Sequence, residues 1–369
     1  MGKTWKFGKI AGIQIQIHPT FLLLLVWIGF ITAFSGGTTA DIFSEIAFVL
    51  VLFLSVVLHE LGHALAAKSF GISTRDITLL PIGGVARLER MPEKPKHELI
   101  VAAAGPAVNV LIAGVLFVGL LFSGVFSQPL EITMLLDNFW LRLLSVNLTL
   151  IFFNLIPAFP MDGGRVLRAI LASRMDYTKA TRTAADIGRG FAILLGIAGI
   201  FLNPWLILTA IFIWSGAGAE ANAVEMKADL EGLKVRDAMI SQFFQVEANQ
   251  PIESVIELSM TTGQQNIPVV SNGHFLGIIR RKDLVETANR LGRRAPAYAA
   301  IGIEPKGIDP DAPLNEILTK FALSRIYPVI EHGQLIGLIT PESVQQQILL
   351  NKQLGKKPNV PPNEKKDTV

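Results

Sequence analysis

The sequence predicts a protein of two parts: an α-helical domain that crosses a membrane about six times, followed by an α/β domain with an internal repeat. Half of the 369 residues are hydrophobic and 17% are charged, and the mean hydropathy is +0.46, a balance typical of membrane proteins. Nearly all long apolar runs lie before residue 225, while Lys, Arg, Asp and Glu recur regularly after it. We therefore place a membrane domain at 1–225.

Charge and cysteine content exclude several classes of function. The net charge is only +3 and the basic residues are scattered, so we expect no nucleic-acid partner. No cysteine is present, which excludes disulfides and thiolate metal ligands. Any metal ion must therefore be bound by His, Asp or Glu.

Six apolar segments are long enough to cross a bilayer core of roughly 30 Å. The first is retained rather than cleaved, because its apolar run reaches Phe34 with no small-residue cleavage pattern after it. The fifth is short and contains Arg189, and a turn at Asn203-Pro204 separates it from the sixth. The six predicted spans are 19–35, 42–67, 99–124, 139–157, 187–202 and 204–224.

The basic residues of the connecting segments predict the orientation of these spans. Short cytoplasmic loops carry an excess of Lys and Arg. Residues 1–18, 68–97 and 158–186 are rich in Lys and Arg, whereas 36–41 and 125–138 contain neither. We therefore predict a multi-pass protein of the cell membrane whose N- and C-termini are both cytoplasmic.

The second predicted span contains the sequence "VVLHELGHAL", with two histidines and a glutamate inside an apolar helix. His59 and His63 are four residues apart, so both imidazoles lie on one helix face and can bind one metal ion. Glu60 is adjacent and can act as a general base. An ionisable residue near the bilayer centre costs at least about 2.5–3.5 kcal/mol, so three within five positions need partners or a purpose. This setting favours a zinc hydrolase site, and the alternative is a structural polar cluster at a helix interface.

A catalytic zinc ion usually has three protein ligands and an open position. Asp162 is the best candidate for the third ligand, because it follows the fourth span at the cytoplasmic side, at the depth predicted for the histidines. Glu45 and Asp137 lie near the other side of the membrane and fit less well. As an alternative, Asp162 could cap a helix that begins at Gly163.

The part after residue 225 contains a repeat. "IPVVSNGHFLGIIRRKDLV" from Ile267 and "YPVIEHGQLIGLITPESVQ" from Tyr327 align without a gap at an offset of 60 residues. Each copy predicts two strands joined by a glycine turn and followed by a helix, with another helix upstream. The polar Pro/Lys-rich tail, 351–369, is predicted to be disordered.

Three sequences together identify a family resemblance: "HELGH" at 59–63, "AAAGPAVNV" at 102–110 and "NLIPAFPMDGGR" at 154–165. The chain resembles the site-2 proteases, intramembrane zinc metalloproteases of peptidase family M50. The repeat resembles a tandem pair of cystathionine-beta-synthase (CBS) domains, with copies at 229–288 and 295–350.

This resemblance implies a core of three helices and one Zn²⁺ per chain, bound by His59, His63 and Asp162, with Glu60 as the general base. It also implies that the substrate is a membrane-anchored protein cleaved within a transmembrane helix, in regulated intramembrane proteolysis.

Four further residues are candidates for substrate binding. Asn109 matches a polar residue that the family places near the scissile segment, and Asn154 lies in the third motif. The alternative for Asn109 is an ordinary interhelical hydrogen bond. Gly83 and Gly84 lie in a predicted strand pair at 75–90 that could capture an unwound substrate by strand addition. The alternative is a plain surface hairpin.

CBS pairs commonly bind adenine nucleotides, with a Thr or Ser after the second strand and an Asp three residues later. Each copy keeps half of this pattern: Arg280 and Asp283 in the first, Thr340 and Ser343 in the second. We therefore predict one composite nucleotide site formed by Arg280, Asp283 and Thr340. The alternative is that the pair serves only for homodimerisation or docking.

Two other functions compete with proteolysis. An ion or metal transporter gated by the CBS pair could use His59, His63 and Asp162 as a transient site, but transport needs polar residues along the whole path, and here they cluster at one depth. A catalytically inactive receptor is the other, and the intact Glu60 argues against it.

Overall fold

The structure, a computed structural model, describes residues 4–81, 83–127, 137–317, 321 and 326–354. The chain divides into two compact units, Met1–Val224 and Glu225–Val369. Each unit has its own sheet and its own hydrophobic core.

The first unit is a bundle of long apolar helices. Four of them, α2, α3, α6 and α7, are long and apolar enough to cross a membrane, and α1 and α4 are shorter apolar helices. All six predicted segments are therefore helical. The helices are α1 (Pro19–Phe34), α2 (Thr39–Ser69), α3 (Pro95–Phe122), α4 (Phe139–Leu155), α5 (Asp162–Ala172), α6 (Tyr177–Phe201) and α7 (Trp205–Leu230).

The last two long helices extend beyond the apolar runs that predict them. The fifth predicted span begins at 187, but α6 begins ten residues earlier at Tyr177, because the polar Thr- and Ala-containing segment before it continues the helix. Many large apolar side chains on the bundle are exposed, Leu111, Phe152 and Ile200 among them. Such a surface is expected where lipid rather than water surrounds the helices.

A four-stranded sheet packs against α2. Its strands are β1 (Trp5–Ile10), β2 (Ile13–Ile17), β3 (Thr74–Leu80) and β4 (Gly83–Leu88), in the order β1-β2-β3-β4. β2 and β3 are parallel, and the other two pairs are antiparallel. The predicted strand pair at 75–90 therefore forms, with Gly83 and Gly84 at the start of β4, which is the terminal strand of this sheet.

The second unit is built from two hairpins related by the predicted offset of 60 residues. In the first, Ile267 pairs with Ile279 and Val269 with Gly277; in the second, Tyr327 pairs with Ile339 and Val329 with Gly337. The strands are β5 (Val246–Glu247), β6 (Asn266–Ser271), β7 (His274–Arg280), β8 (Tyr327–Glu331) and β9 (Gln334–Ile339), in the order β5-β6-β7-β9-β8.

Helices flank this five-stranded sheet, as the predicted α/β class requires. They are α8 (Val235–Ala238), α9 (Ile252–Thr262), α10 (Arg281–Leu291), α11 (Leu314–Ile317) and α12 (Pro341–Gln353). α12 continues three residues into the tail that was predicted to be disordered. The rest of that tail, 355–369, lies outside the described residues.

Candidate metal centre

Three buried side chains converge on one point of the helical bundle. His59 and His63 project from one face of α2, and Asp162 is the first residue of α5. The two Nε2 atoms are 3.1 Å apart, and Oδ2 of Asp162 lies 3.2 Å from Nε2 of His59 and 3.1 Å from Nε2 of His63. Two imidazole nitrogens and one carboxylate oxygen form a donor set typical of catalytic zinc sites.

A chain of hydrogen bonds determines which nitrogen of His59 carries the proton. The carbonyl of Leu143 accepts from Nδ2 of Asn147 at 2.9 Å, so Oδ1 of Asn147 is the oxygen that accepts from Nδ2 of Asn109 at 3.0 Å. Oδ1 of Asn109 is then left to accept from Nδ1 of His59, at 2.6 Å. Nε2 of His59 therefore presents a lone pair to the centre of the cluster.

His63 is oriented in the same way by a hydrogen bond to a backbone carbonyl. Its Nδ1 donates to the carbonyl oxygen of Val101 at 2.7 Å, since a carbonyl can only accept. Pro106 lies one turn further along α3 and cannot donate to the carbonyl of Ala102, which removes one helical hydrogen bond beside this contact. Both histidines thus have the tautomer and the outer hydrogen bond that metal-binding histidines usually have.

Gly105 on α3 supplies the space for an ion. A Cβ atom at this position would lie 2.2 Å from Nε2 of His63 and 2.7 Å from Nε2 of His59. Any side chain would therefore fill the volume between the donors. The donor set, the tautomers and this space together fit a zinc ion.

Glu60 points toward the edge of the four-stranded sheet. Its Oε2 accepts a hydrogen bond from the backbone N–H of Ala86 at 3.1 Å. Ala86 lies on β4, the terminal strand of the sheet, where it is paired with Ile77 of β3. A Cβ at Gly84 would lie 3.0 Å from Cγ of Glu60, which shows how closely β4 passes over this carboxylate.

The segment before Asp162 is folded tightly against α5. A Cβ at Gly163 would lie 2.3 Å from the carbonyl oxygen of Ile156, and one at Gly164 would lie 2.6 Å from the carbonyl carbon of Ala158. Only glycine allows this approach. The Asp-Gly-Gly sequence therefore places the carboxylate, and Asp162 does not use its side chain to cap a helix that begins at Gly163, because the helix begins at Asp162 itself.

A buried ionic cluster holds α5 in place. Nε of Arg168 donates to Glu98 of α3 at 2.7 Å, and its Nη1 donates to Glu220 of α7 at 2.6 Å. Arg168 and Glu98 are both 0% exposed. Burial alone would lower the pKa of the Arg168 guanidinium, but the nearby carboxylates raise it above its usual range, so the residue stays charged.

The other candidates for substrate binding differ in their availability. Asn109 is fully buried and both ends of its amide are bonded within the protein, so the interhelical hydrogen bond is the alternative that the structure contains. Asn154 on α4 is half-buried and has no side-chain hydrogen bond within the described part of the chain. Gly83 and Gly84 lie on β4, beside Glu60.

In the CBS-like pair, Arg280 and Asp283 of the first copy form no hydrogen bond with Thr340 of the second in the described part of the chain. β7 and β9 are antiparallel and pair at His274 and Gln334, at the start of each strand, whereas Arg280 ends β7 and Thr340 follows the end of β9. The single composite site formed by Arg280, Asp283 and Thr340 therefore stays a prediction.

Each half of that predicted site bonds to its own helix start. Arg280 donates to Asp283 at 2.7 and 2.9 Å, and Asp283 also accepts from the backbone N–H of Arg280 at 3.2 Å. In the second copy, Oγ1 of Thr340 accepts from the backbone N–H of Ser343. These are capping boxes, which satisfy the first N–H groups of α10 and α12.

Sequence reasoning missed Asn147 and the cluster of Arg168, Glu98 and Glu220. The position of Asn147 in the middle of the apolar fourth span was a signal, because a buried amide in a membrane helix needs a partner. The other three residues lie on separate helices, and nothing local indicates their pairing.

The bundle of apolar helices and the cluster of His59, His63 and Asp162 together define a membrane zinc metalloprotease. Comparisons with known proteins agree with this assignment. The model of peptidase family M50 matches residues 47–195, and that of the CBS domain matches 235–289 and 303–349. A zinc metalloprotease of Methanocaldococcus jannaschii is 35% identical over 345 residues, 93% of this chain and 96% of that protein. The chain therefore belongs to peptidase family M50, the site-2 protease-like zinc metalloproteases, and carries a tandem CBS pair.

Two further relatives extend over different parts of the chain. A Synechocystis protein named for the same zinc metalloprotease class is 29% identical over 372 residues, covering 93% of this chain and 95% of that protein. The structure of a site-2 protease from Methanocaldococcus jannaschii is 39% identical and has a TM-score of 0.43, covering 59% of this chain and 95% of that one.

Proposed function

We propose that the protein cleaves a transmembrane segment of a membrane-anchored substrate protein. The observation that carries the proposal is the position of the donor cluster: His59, Glu60 and His63 lie within the apolar helix α2, and Glu60 accepts a hydrogen bond from Ala86 of the terminal strand β4. A hydrolytic centre at this depth can reach a peptide bond of a membrane-spanning segment.

His59, His63 and Asp162 would hold one zinc ion. A bound zinc ion supplies Lewis acidity, which polarises the scissile carbonyl and activates water near neutral pH. Asn109 and Val101 keep both histidine Nε2 atoms unprotonated and aimed at the cluster. Arg168 keeps the helix that bears Asp162 against α3 and α7.

Glu60 would move the protons of the reaction. Its carboxylate takes a proton from the attacking water and passes it to the nitrogen of the leaving amine. The hydrogen bond from Ala86 orients the carboxylate without neutralising it. The proton transfer is therefore coupled to the position of β4.

β4 would present the substrate. The peptide bonds of a helical substrate are covered by its own side chains and hydrogen bonds, so the scissile segment must become extended before it can be cleaved. The outer edge of β4 offers backbone groups for such a segment. Gly83 and Gly84 leave space beside that edge, and the side chain of Asn154 is available for a further hydrogen bond to the substrate.

The distribution of Lys and Arg supports an orientation with both termini in the cytoplasm. In that orientation, β4 and the start of α5 lie toward the cytoplasmic side. We therefore propose that cleavage occurs in the cytoplasmic half of the membrane.

The CBS pair would regulate this activity, through an adenine nucleotide or through homodimerisation. Asp283 is the residue best placed to accept from ribose hydroxyls, although Arg280 bonds it in the structure described here. Nucleotide binding at Asp283 therefore requires Arg280 to move or to bind the phosphates itself. Coupling to the zinc site requires that the nucleotide prefer one of two states of the whole chain.

Purified zinc-loaded protein in liposomes, incubated with membrane-anchored candidate substrates, tests the main proposal. We expect mass spectrometry to locate a cut within the transmembrane segment, absent when Glu60→Gln replaces the native protein. Cuts confined to soluble segments would refute intramembrane proteolysis. Zinc or other ion flux into the same liposomes, unaffected by Glu60→Gln, would favour the transporter.

A further inference from the structure

A crevice of about 730 Å³ lies between β4 and the start of α5, and four of its eight lining residues are arginines. Four arginines and one glutamate contribute to its wall: Arg75, Arg87, Arg90, Arg165 and Glu89. The crevice lies within the first unit and includes residues from two elements that are far apart in sequence. Its net positive charge is concentrated beside the predicted catalytic residues.

The crevice borders the candidate metal centre at two points. Ala86, one of its lining residues, donates its N–H to Glu60. Arg165, which also lines it, has Nη1 3.5 Å from Oδ1 of Asp162. A chain that lies along the outer edge of β4 near Glu60 must therefore pass these arginines.

One of the four arginines is held in a fixed position. Nε of Arg87 donates to Oδ1 of Asp76 at 2.8 Å, and Asp76 is only 2% exposed. The hydroxyl of Thr78 donates to the same carboxylate at 3.1 Å. Such anchoring lowers the entropy that a guanidinium loses when it binds a ligand.

Arg75 and Arg90 are exposed and make no ion pair with the described residues. The general excess of Lys and Arg in cytoplasmic loops accounts for a basic loop. It does not account for the convergence of the strand pair at 75–90 with Arg165, which lies on α5 near the candidate metal ligand Asp162. The convergence points to an anionic ligand.

We infer that this arginine crevice is a specificity subsite for acidic side chains of the substrate that flank the scissile segment. The inference rests on the proposed function. Arginine forms paired hydrogen bonds with carboxylates, and alternate side chains of an extended peptide project to the same side about every 7 Å. The arginines also offset the repulsion that Glu60 and Asp162 exert on an acidic peptide.

An anionic lipid headgroup would match the charge but not the shape of this wall. The crevice is bordered by the backbone of a terminal strand, which pairs with peptide rather than with lipid, and it reaches the carboxylates that perform the reaction. A peptide ligand is therefore favoured, and lipid binding becomes an outcome of the test.

Full-length Glu60→Gln protein in phosphatidylcholine nanodiscs allows binding to be measured without cleavage. The probes are two fluorescein-labelled peptides with the same Val/Thr/Ala backbone, one with two glutamates spaced two residues apart, the other with glutamines there. We expect fluorescence anisotropy to show binding of the glutamate peptide at least tenfold tighter at low salt. The Arg75→Gln and Arg90→Gln variants should each lose about threefold or more of that preference.

Arg174→Gln is the matched control, because Arg174 is an exposed arginine beyond the end of α5 and outside the crevice. It should keep the full preference, and equal zinc content in all variants shows that they fold. In addition, Arg90→Glu should lose more of the preference than Arg90→Gln, because it also places a negative charge in the crevice.

Equal affinity for the two peptides, or an equal loss of preference in Arg174→Gln, would overturn the subsite. Displacement of the glutamate peptide by nanodiscs that contain anionic lipid, without any effect on the glutamine peptide, would assign the crevice to headgroups instead. If the native protein cleaves no membrane-anchored reporter but the binding preference holds, the proposed function fails and the subsite stands.

Discussion

In the metal cluster, Nε2 of His63 and Oδ2 of Asp162 lie 3.1 Å apart although 99 residues separate them, whereas Arg280 in the second unit bonds Asp283, only three residues away. The first contact exists only because the fold brings α2 and α5 together. The second can form in any helix that begins with these two residues. Both regions were predicted as binding sites, but only the first places polar groups that have no local reason to be there.

The energetic contrast follows from burial. Two imidazoles and a carboxylate withdrawn from solvent are costly unless something compensates them, and a bound cation does so. A capping box satisfies backbone N–H groups and contributes about 1 kcal/mol to its own helix, so no ligand is needed to explain it. Long-range convergence of buried polar groups is therefore the stronger indication of a site.

Of the four substitutions, Glu60→Gln should produce the largest effect, because it removes the proposed general base beside the metal cluster. The amide oxygen can still accept from Ala86, but it cannot take a proton, so cleavage should fall by about 10²–10⁴-fold with zinc retained. Metal analysis and a cleavage assay on the same preparation check this. Glu45→Gln is a control on the same helix, because Glu45 pairs with Arg142 away from the cluster. Cleavage by Glu60→Gln at the native rate would remove Glu60 from the mechanism.

Arg168→Met tests the buried ionic cluster. Loss of the guanidinium leaves Glu98 buried and unpaired, which should lower the free energy of unfolding by about 3–5 kcal/mol. The double variant Arg168→Met, Glu98→Gln should recover part of this, since the second change removes the isolated charge. Thermal unfolding in detergent measures both, and an equally unstable double variant would show that packing, not charge, is responsible.

Asp162→Asn should weaken zinc binding by more than the roughly 10–100-fold typical of changes to the outer partners of metal ligands. Its carboxylate is the third donor, and an amide oxygen is a poorer one. Competition with a chelator gives the affinity. Asp137→Asn changes an exposed carboxylate outside the cluster and should leave zinc affinity unchanged. Equal affinities in the two variants would contradict the assignment of Asp162.

Asp283→Ala should have the smallest effect. If an adenine nucleotide binds there, it must compete with Arg280, so the variant should lower nucleotide affinity by less than tenfold, and lose about 1 kcal/mol of stability with the cap. Calorimetric titration of the full chain with ATP, ADP and AMP measures the first, with Ser343→Ala as a control in the other copy. Absence of heat with every nucleotide would leave the pair as a dimerisation or docking module.

The sequence predicts the elements of this protein better than their pairing. Six apolar segments, the repeat at an offset of 60 residues and the three donors of the cluster follow from periodicity, composition and local motifs. The hairpin of β1 and β2 was missed, although Ala11 and Gly12 form a turn with positive φ between alternating residues, because the apolar span that follows dominates the pattern.

Contacts between residues that are far apart in the sequence cannot be predicted from either residue alone. Arg168 looks like an ordinary helix residue until Glu98 and Glu220 are seen beside it, 70 and 52 residues away. The same holds for the predicted nucleotide site, because the sequence does not show in which direction two neighbouring repeats pair.

Substitution of Gly105 should abolish zinc binding in a different way from the loss of a ligand. Loss of a ligand weakens affinity, and a higher zinc concentration reverses such a loss by mass action. A methyl group at position 105 would instead occupy the volume between the two Nε2 atoms, so no concentration of zinc restores occupancy. In a zinc titration, Gly105→Ala should therefore stay metal-free at every concentration, whereas Asp162→Asn should bind zinc only at higher concentrations. Gly105→Ala would then be a permanently metal-free form of the protein.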